Sequence, residues 1–481
     1  METHTPPTRR RLKRGQELEI EIEKFADRGK SLARLDGYVV FVPGAVPGDR
    51  VRVRVTKGKK NFAEAIVIDL LQPSPLRTDP RCFYFETCGG CKWQHVDYAA
   101  QLEAKRQSVD EAFRHNGGLD GFEVRPTLGA ENVYFYRNKM EFSFSTKRWL
   151  TPKEIATGED FDTDFALGLH VPGNFYKVID LKECHLQSEL SVRLVNAVRA
   201  LAKEHGWLPW DIRQHTGYLR HLVIRQGERT GETMVNLVTN GHLPERMALL
   251  EARLKRDFPE VTTLVNTINT GKAQTAYGEA MHTLFGPGVI HDAIGPYRFE
   301  IAPNAFFQTN TRQAERLYEI ARDFAEIGPD DLVYDLFCGA GTISLFVAGL
   351  ARHVVGVELV EEAVENAKAN ARANGVENVT FVQGDMLALF NDDFVAEHGR
   401  PDVLITDPPR AGMHPKVVER IAALRPPRIV YVSCNPQTQA LDLARLADAY
   451  TIEAVQPVDL FPHTHHIENV VQLRLNEPVA G

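Results

Sequence analysis

The sequence holds six cysteines, and their spacing separates four of them from the other two. Cys82, Cys88 and Cys91 run as C-x5-C-G-G-C, and Cys184 stands alone within Leu181-Lys182-Glu183-Cys184-His185. Gly89 and Gly90 let the backbone turn tightly enough for several thiolates to face one centre. Three clustered cysteines and a distant fourth suit a four-thiolate site, and in a reducing compartment metal is favoured over disulfides. Zinc and an iron–sulfur cluster both accept four thiolates, and spacing does not choose between them. Reduced surface thiols are the plain alternative. Cys338 lies in a glycine turn, where a small side chain fills space. Cys434 ends the apolar run 429–433 and is followed by Asn435-Pro436. Ligands bind at strand ends in open α/β sheets, so its thiol is a candidate nucleophile, with a buried packing residue as the alternative.

A second group of residues suits a nucleoside. Asp335 to Gly341 supplies D-x-x-C-G-x-G, and Glu358 ends the next apolar run. An acidic residue about 20 residues past a glycine turn is where a doubly wound fold holds ribose hydroxyls. A dinucleotide wants a third glycine for its pyrophosphate, but Ser344 stands there. The turn therefore suits a nucleoside without phosphates, such as S-adenosylmethionine. Asp385 is placed to reach the adenine side, and Asp407-Pro408-Pro409-Arg410 stands in register with both.

These residues need scaffolds, and the periodicity supplies three. Period-two runs across 17–71, separated by Asp36-Gly37, Pro43-Gly44 and Pro47-Gly48, predict a small antiparallel barrel. Residues 72–80 look like a linker, and 99–115 a helix. The segment 126–285 is mixed α and β. From about 302 the rhythm becomes strand, turn, helix, strand, with strands expected at 332–336, 353–358, 379–383, 402–406 and 428–433. A helix over 360–374 is closed by Gly375. That alternation predicts a doubly wound parallel sheet. A length of 481 residues accommodates several domains.

Composition excludes other classes. Hydrophobic residues are 43% and charged residues 25%, ordinary for a globular chain and unlike a disordered or disulfide-stapled one. The apolar run 336–351 is interrupted by glycines, Thr342 and Ser344, so no membrane span is expected. Arg9, Arg10, Arg11 and Arg14 precede no apolar stretch, unlike a secretory signal, and a cytoplasmic protein is expected. Net charge is −8, but residues 1–72 carry 15 Lys and Arg against 10 Asp and Glu. A basic segment on an acidic body suggests a local contact with phosphates, or else a solvated basic tail.

At Asp407-Pro408-Pro409-Arg410, Ser433-Cys434-Asn435-Pro436 and 461–468 (FPHTHHIE), the sequence resembles the RNA uracil-5 methyltransferases. The resemblance extends to Tyr136-Arg137-Asn138-Lys139-Met140-Glu141 and to Asn304-Ala305-Phe306-Phe307-Gln308-Thr309-Asn310, covering nearly the whole chain. It implies an OB-like TRAM barrel at 14–72 and an α+β central domain at 73–98 and 126–300. A Rossmann-like methyltransferase domain would take 99–125 and 301–481. It implies a [4Fe–4S] cluster on Cys82, Cys88, Cys91 and Cys184, with Gln94 and His95 following the loop. Gln308, Phe337, Thr342, Glu358, Asp385 and Asp407 would contact S-adenosylmethionine. Thr342 replaces the asparagine of the family pattern. Cys434 would be the nucleophile and Glu468 the base.

The chemistry explains these types. C5 of uracil is a poor nucleophile until a thiolate adds at C6, and a carboxylate must then take the C5 proton. The site is expected to favour the thiolate, because a free thiol has a pKa of roughly 8.5. His463, His465 and His466 are not expected to hold metal, since neighbouring histidines on a strand would point to opposite faces. The target would be a flipped uridine in 23S rRNA, with no membrane partner and a monomeric enzyme. Flanking RNA would meet Arg50, Arg52, Arg54, Lys57, Lys59 and Lys60, with Tyr136, Arg137 and Lys139 as further candidates. A uridine in tRNA or elsewhere in rRNA, and a non-catalytic RNA-binding or ribosome-assembly factor, are the alternatives.

Overall fold

Alternation decides the N-terminal unit. The computed structural model describes residues 11–477, so Arg9, Arg10 and residues 478–481 lie outside it. In the strand Arg50–Gly58, Val51, Val53 and Val55 point into the barrel, while Arg50, Arg52 and Arg54 point outward. Each buried valine contributes roughly 1.5–3 kcal/mol through area removed from water. Six strands form the sheet. Ile22 and Glu23 link its two edge strands, donating to the carbonyls of Asp49 and Leu32 and so curling the sheet on itself.

One pairing departs from the antiparallel barrel expected. Tyr38–Pro43 lies parallel to Phe62–Gln72, with Val39 opposite Phe62. The cause is the intervening strand Arg50–Gly58, which packs on the far side of Phe62–Gln72. Two reversals of direction then leave its neighbours running the same way. The linker is also docked rather than loose. Asp49 is fully buried and accepts two hydrogen bonds from the Arg77 guanidinium, at 2.8 and 2.7 Å, and one from the Ser74 amide at 2.9 Å.

The central unit is α+β. Its six-stranded sheet carries Phe142, Leu222, Ile224, Val235 and Leu237 on one face, packed under the helices Glu189–Glu204 and Pro244–Asp257. The opposite face carries Lys139, Glu141, Ser143, His221 and Arg225. Helix Tyr98–Glu111 starts at Asp97, whose carboxylate accepts from the amides of Ala99 and Ala100. Beyond it, Phe113, Leu119 and Val124 join the core of the C-terminal sheet.

That sheet has seven strands. Val379–Gln383, His353–Glu358, Leu332–Leu336, Val403–Thr406 and Arg428–Ser433 run parallel in that spatial order. Glu468–Leu475 and Tyr450–Val458 complete it in antiparallel fashion. The hairpin Ile290–Ile294 and Tyr297–Ile301 also packs into this core, although it precedes the domain boundary expected after residue 300. Among the described residues no helix is long and apolar enough to cross a membrane.

Candidate active site

The strand ends place the chemistry. Phe337, Glu358, Asp385, Asp407 and Cys434 follow or close the carboxyl ends of the five parallel strands. The spatial order turns between Leu332–Leu336 and Val403–Thr406, the switch point where such sheets bind ligands. Glu468 arrives from the other direction. Its strand is antiparallel to Arg428–Ser433 with Asn469 opposite Ser433, which sets Glu468 beside Cys434. Asn435 then caps the helix Pro436–Leu446, accepting from Gln437 N at 3.2 Å, with Pro436 in the first turn. The thiol is thereby fixed between a strand and a helix start.

One cavity of about 1160 Å³ collects these groups. Gln308, Phe337, Thr342, Glu358, Asp385, Asp407, Cys434 and Glu468 all line it. The turn 337–341 is held in unusual backbone: Phe337, Gly339 and Gly341 have φ of 65°, 56° and 76°. A Cβ on Gly341 would come within 2.7 Å of the Phe381 ring. Glu358 holds this turn, its carboxylate accepting from Gly339 N at 3.1 Å and from the amides of Leu359 and Val360. Asp385 accepts from Leu387 N at 2.9 Å, and the Thr342 hydroxyl stands 3.2 Å from that of Tyr318. Ser344, in place of a third glycine, donates to Asp335 at 2.6 Å. Cys338 is buried, with its sulfur against Gly356, as packing requires.

Electrostatics in the cavity favour a cation. Asp335 is fully buried, and one of its carboxylate oxygens has no hydrogen-bond partner. Asp407 stands close to it; burial and the Asp335 charge push Asp407 up to about 7. Burial and Asp407 raise Glu468 well above the usual carboxylate range, while Arg410 opposes the rise. Cys434 does not meet the expectation of a favoured thiolate. Burial, Glu468 and Asp407 push it up to about 11, against the pull of Arg410. The physical reason is first the burial of the sulfur and then the two carboxylates that oppose the single cation beside it. A positively charged ligand would reverse that balance.

The loop that leads to Glu468 is clamped from outside the sheet. Lys105 and Asp459, both buried, pair at 2.6 Å, and the Tyr98 hydroxyl donates to the same carboxylate at 3.0 Å. Breaking a buried pair of this kind costs about 3–5 kcal/mol. The amide of His463 donates to the Gln101 side chain at 2.9 Å, and its carbonyl accepts from Lys92 N and Trp93 N at 2.8 and 3.0 Å. The cysteine loop therefore grips the loop that leads to Glu468 through backbone bonds. The histidines correct a second expectation. Segment 461–467 is not a strand, so His465 and His466 both line the cavity, their ring centroids 4.2 Å apart. Burial lowers His463, His465 and His466 to about 4, leaving them neutral at pH 7.

The four cysteines Cys82, Cys88, Cys91 and Cys184 line one small cavity that shares Gly90 with the larger one, and none of them forms a disulfide. Among the described residues no group of three or more His, Cys, Asp or Glu is arranged so that it could hold a metal ion. Each sulfur nevertheless faces hydrogen-bond donors. The amides of Tyr84 and Phe85 face Cys82, and those of Leu186 and Gln187 face Cys184. Gly90 N donates to Cys88 Sγ at 3.4 Å and Gln94 Nε2 to Cys91 Sγ at 3.2 Å. Donors of this kind support thiolate ligands. Burial pushes Cys82 up to about 11, and Cys88 and Cys91 up to about 12, so their thiolate forms need a positive centre.

Some site residues were not singled out by sequence reasoning. Arg410 is the cation acting on both Cys434 and Glu468, and its position in D-P-P-R is the signal that could have found it. Tyr318 and Tyr277 line the cavity without any local motif. Conversely, Tyr136 is buried with its hydroxyl on the Pro462 carbonyl at 3.1 Å, so it is not available to RNA as expected. Arg50, Arg52 and Arg54 are engaged by Glu19, Asp69 and Glu17.

Comparison with known proteins agrees with this geometry. Residues 291–476 match the tRNA (uracil-5-)-methyltransferase family model, and residues 11–68 match the TRAM domain. An uncharacterized RNA methyltransferase of Porphyromonas gingivalis is 46% identical over 468 residues, covering 95% of this chain and 100% of that protein. One of Chlorobaculum tepidum is 42% identical over 475 residues, covering 97% and 98%. The crystal structure of Pyrococcus abyssi tRNA (uracil-54, C5)-methyltransferase, in complex with S-adenosyl-L-homocysteine, superposes with a TM-score of 0.74 at 29% identity. It covers 95% of this chain and 100% of that one. The chain belongs to the RNA uracil-5-methyltransferase family, as a member that carries a TRAM domain.

Proposed function

We propose that this enzyme methylates C5 of a uridine in RNA through a covalent adduct between Cys434 and C6 of the base. The observation that carries the reading is Cys434 beside Glu468 in one cavity with the glycine turn. S-adenosylmethionine supplies the electrophilic methyl group, and Gln308, Phe337, Thr342, Glu358, Asp385 and Asp407 are the residues that would hold it. Cys434 first gives up its thiol proton to solvent, and the thiolate Sγ then adds to C6, moving the C5–C6 electron pair toward O4 and making C5 nucleophilic. Once C5 is methylated, Glu468 takes its proton and the C6–S bond breaks, returning the sulfur electrons to Cys434. Arg410 opposes the carboxylates around the thiol. The four cysteines Cys82, Cys88, Cys91 and Cys184 would hold a [4Fe–4S] cluster, which supplies the positive centre their thiolates need. Through Lys92 and Trp93 its loop steadies the loop that carries His463.

The substrate we propose is a uridine of 23S rRNA, the branch of the family to which a barrel together with a cysteine loop points. A second reading, a tRNA uridine, is favoured by the fit to the Pyrococcus abyssi tRNA enzyme over 95% of this chain. Transcribed large-subunit rRNA and tRNA, each made with 5-fluorouridine, separate the two. Fluorine blocks proton removal, so a covalent adduct that wild type forms and Cys434→Ala does not is expected with rRNA. An adduct with tRNA alone would overturn the rRNA assignment. No adduct with either would overturn the covalent mechanism.

A further inference from the structure

A buried arginine outside the catalytic groups has an unexplained task. Arg220 is fully buried, and among the described residues no carboxylate forms an ion pair with its guanidinium, Glu279 acting on it only at longer range. It donates instead to three carbonyls of one loop: Asn269 at 2.8 Å, Gly271 at 2.6 Å and Ala273 at 2.7 Å. Its other face covers the Trp210 ring, 4.6 Å from the centroid. A buried guanidinium is costly unless it is hydrogen-bonded, so the chain commits a charge to fixing loop 269–279. Other bonds tighten the same loop. Asn269 Nδ2 donates to the carbonyls of Thr275 and Tyr277, both at 2.8 Å, and Glu279 accepts from Thr270 N at 2.9 Å. Gly278 lies so close to the Ile268 carbonyl that any Cβ would collide with it.

What this rigid loop presents is an exposed aromatic ring. Tyr277 is 59% accessible and stands on the rim of the catalytic cavity. Beside it, Asn304 meets Met281 across the gap between two segments, and Phe306, 76% accessible, shares the rim. Arg225, itself buried, donates to the Ala305 carbonyl and so ties down the segment that carries Phe306. Exposing large aromatic area is unfavourable in water, and holding it rigid adds entropic cost. Arg137 and Lys92 on the same rim supply positive charge suited to a phosphate backbone.

We propose that Tyr277 is a stacking platform for an unpaired nucleobase flanking the uridine that enters the cavity, and that Arg220 is the positioning residue that sets the platform. The inference rests on the RNA-methylating function proposed above and names how that substrate is held. An aromatic ring stacks on any base, so the platform contributes affinity without fixing sequence. Tyr277→Ala should raise KM for RNA about tenfold, while Tyr277→Phe should stay near wild type. S-adenosylmethionine affinity should be unchanged in both.

The test uses the full-length protein and single-stranded oligouridine RNAs with 2-aminopurine placed at each position in turn. In wild type and Tyr277→Phe, one position should show fluorescence quenched by stacking, and Tyr277→Ala should lose that quench. Equal quenching in Tyr277→Ala, or an unchanged KM for RNA, would overturn the platform. Methyl transfer to rRNA and tRNA, measured in parallel, keeps the two ideas separate. Quenching that depends on Tyr277 without transfer by wild type would sink the enzymatic reading and leave the platform standing.

Discussion

The barrel and the catalytic cavity both carry many charges, and they treat them in opposite ways. On the barrel, Arg54 pairs with Glu17 and Arg52 with Glu19 and Asp69, all at about half exposure. Such pairs exchange protein partners for water at little cost, and each is worth roughly 0–1 kcal/mol. In the cavity, Asp407 and Glu468 are gathered under the strand ends, with the buried Asp335 behind Asp407 and with Arg410 as the cation that acts on Glu468. Gathering like charges away from water destabilises their ionised forms, and a fold tolerates this where a ligand is to be bound. The barrel charges are balanced within the molecule. The cavity charges await a positive partner.

The largest effect should come from Glu468, the carboxylate beside the thiol. Glu468→Gln keeps the shape and removes the proposed base, so turnover should fall about 10²–10⁴-fold while the covalent RNA adduct accumulates with ordinary uridine. Quenched-flow turnover and denaturing gels report the two quantities. Turnover near the wild-type rate would assign the proton to another group.

A smaller effect tests whether the cavity awaits a cation. Asp407 is raised to about 7 without ligand, and a sulfonium beside it would lower that value. Below about pH 7 the free carboxyl is protonated, so binding must release that proton and affinity should weaken by up to about tenfold per pH unit. Above that pH the affinity should level off. Calorimetric titration should show the slope with S-adenosylmethionine and a shallower one with S-adenosylhomocysteine, which lacks the positive sulfur. Equal slopes for both ligands would remove charge complementarity from the account.

The same contrast explains what the sequence disclosed. The parallel sheet was legible because its strands are short apolar runs followed or closed by Phe337, Glu358, Asp407 and Cys434, and the structure places each run within one residue of expectation. The positions of the cavity residues followed, since strand ends and glycine turns are local features. Ionisation was not legible. Whether Cys434 is a thiol or a thiolate depends on its burial and on Glu468, which is 34 positions further on and is brought close by the antiparallel register. Tyr277 escaped notice for the same reason, because its loop is set by Arg220 from a different strand. The parallel pair inside the barrel was hidden too, since alternation gives the face of a strand but not the direction of its neighbour.

The smallest effect concerns the barrel itself, and it separates paired from unpaired cations. Lys57, Lys59 and Lys60 are exposed and make no carboxylate pair among the described residues, unlike Arg54. A phosphate approaching Arg54 must displace Glu17, whereas one approaching Lys59 displaces only water and counterions. Arg54→Ala should therefore change stability by no more than about 1 kcal/mol and leave the salt dependence of RNA binding nearly intact. Lys59→Ala should leave stability alone and reduce the slope of log affinity against log salt by about 0.7–0.9, the amount that one fewer neutralised phosphate implies. Urea titration and binding isotherms at several salt concentrations measure both. If Arg54→Ala reduced the slope as much as Lys59→Ala, the arginine pairs would be exchanging carboxylates for phosphates, and the barrel would be drawing on paired charge as readily as on free charge.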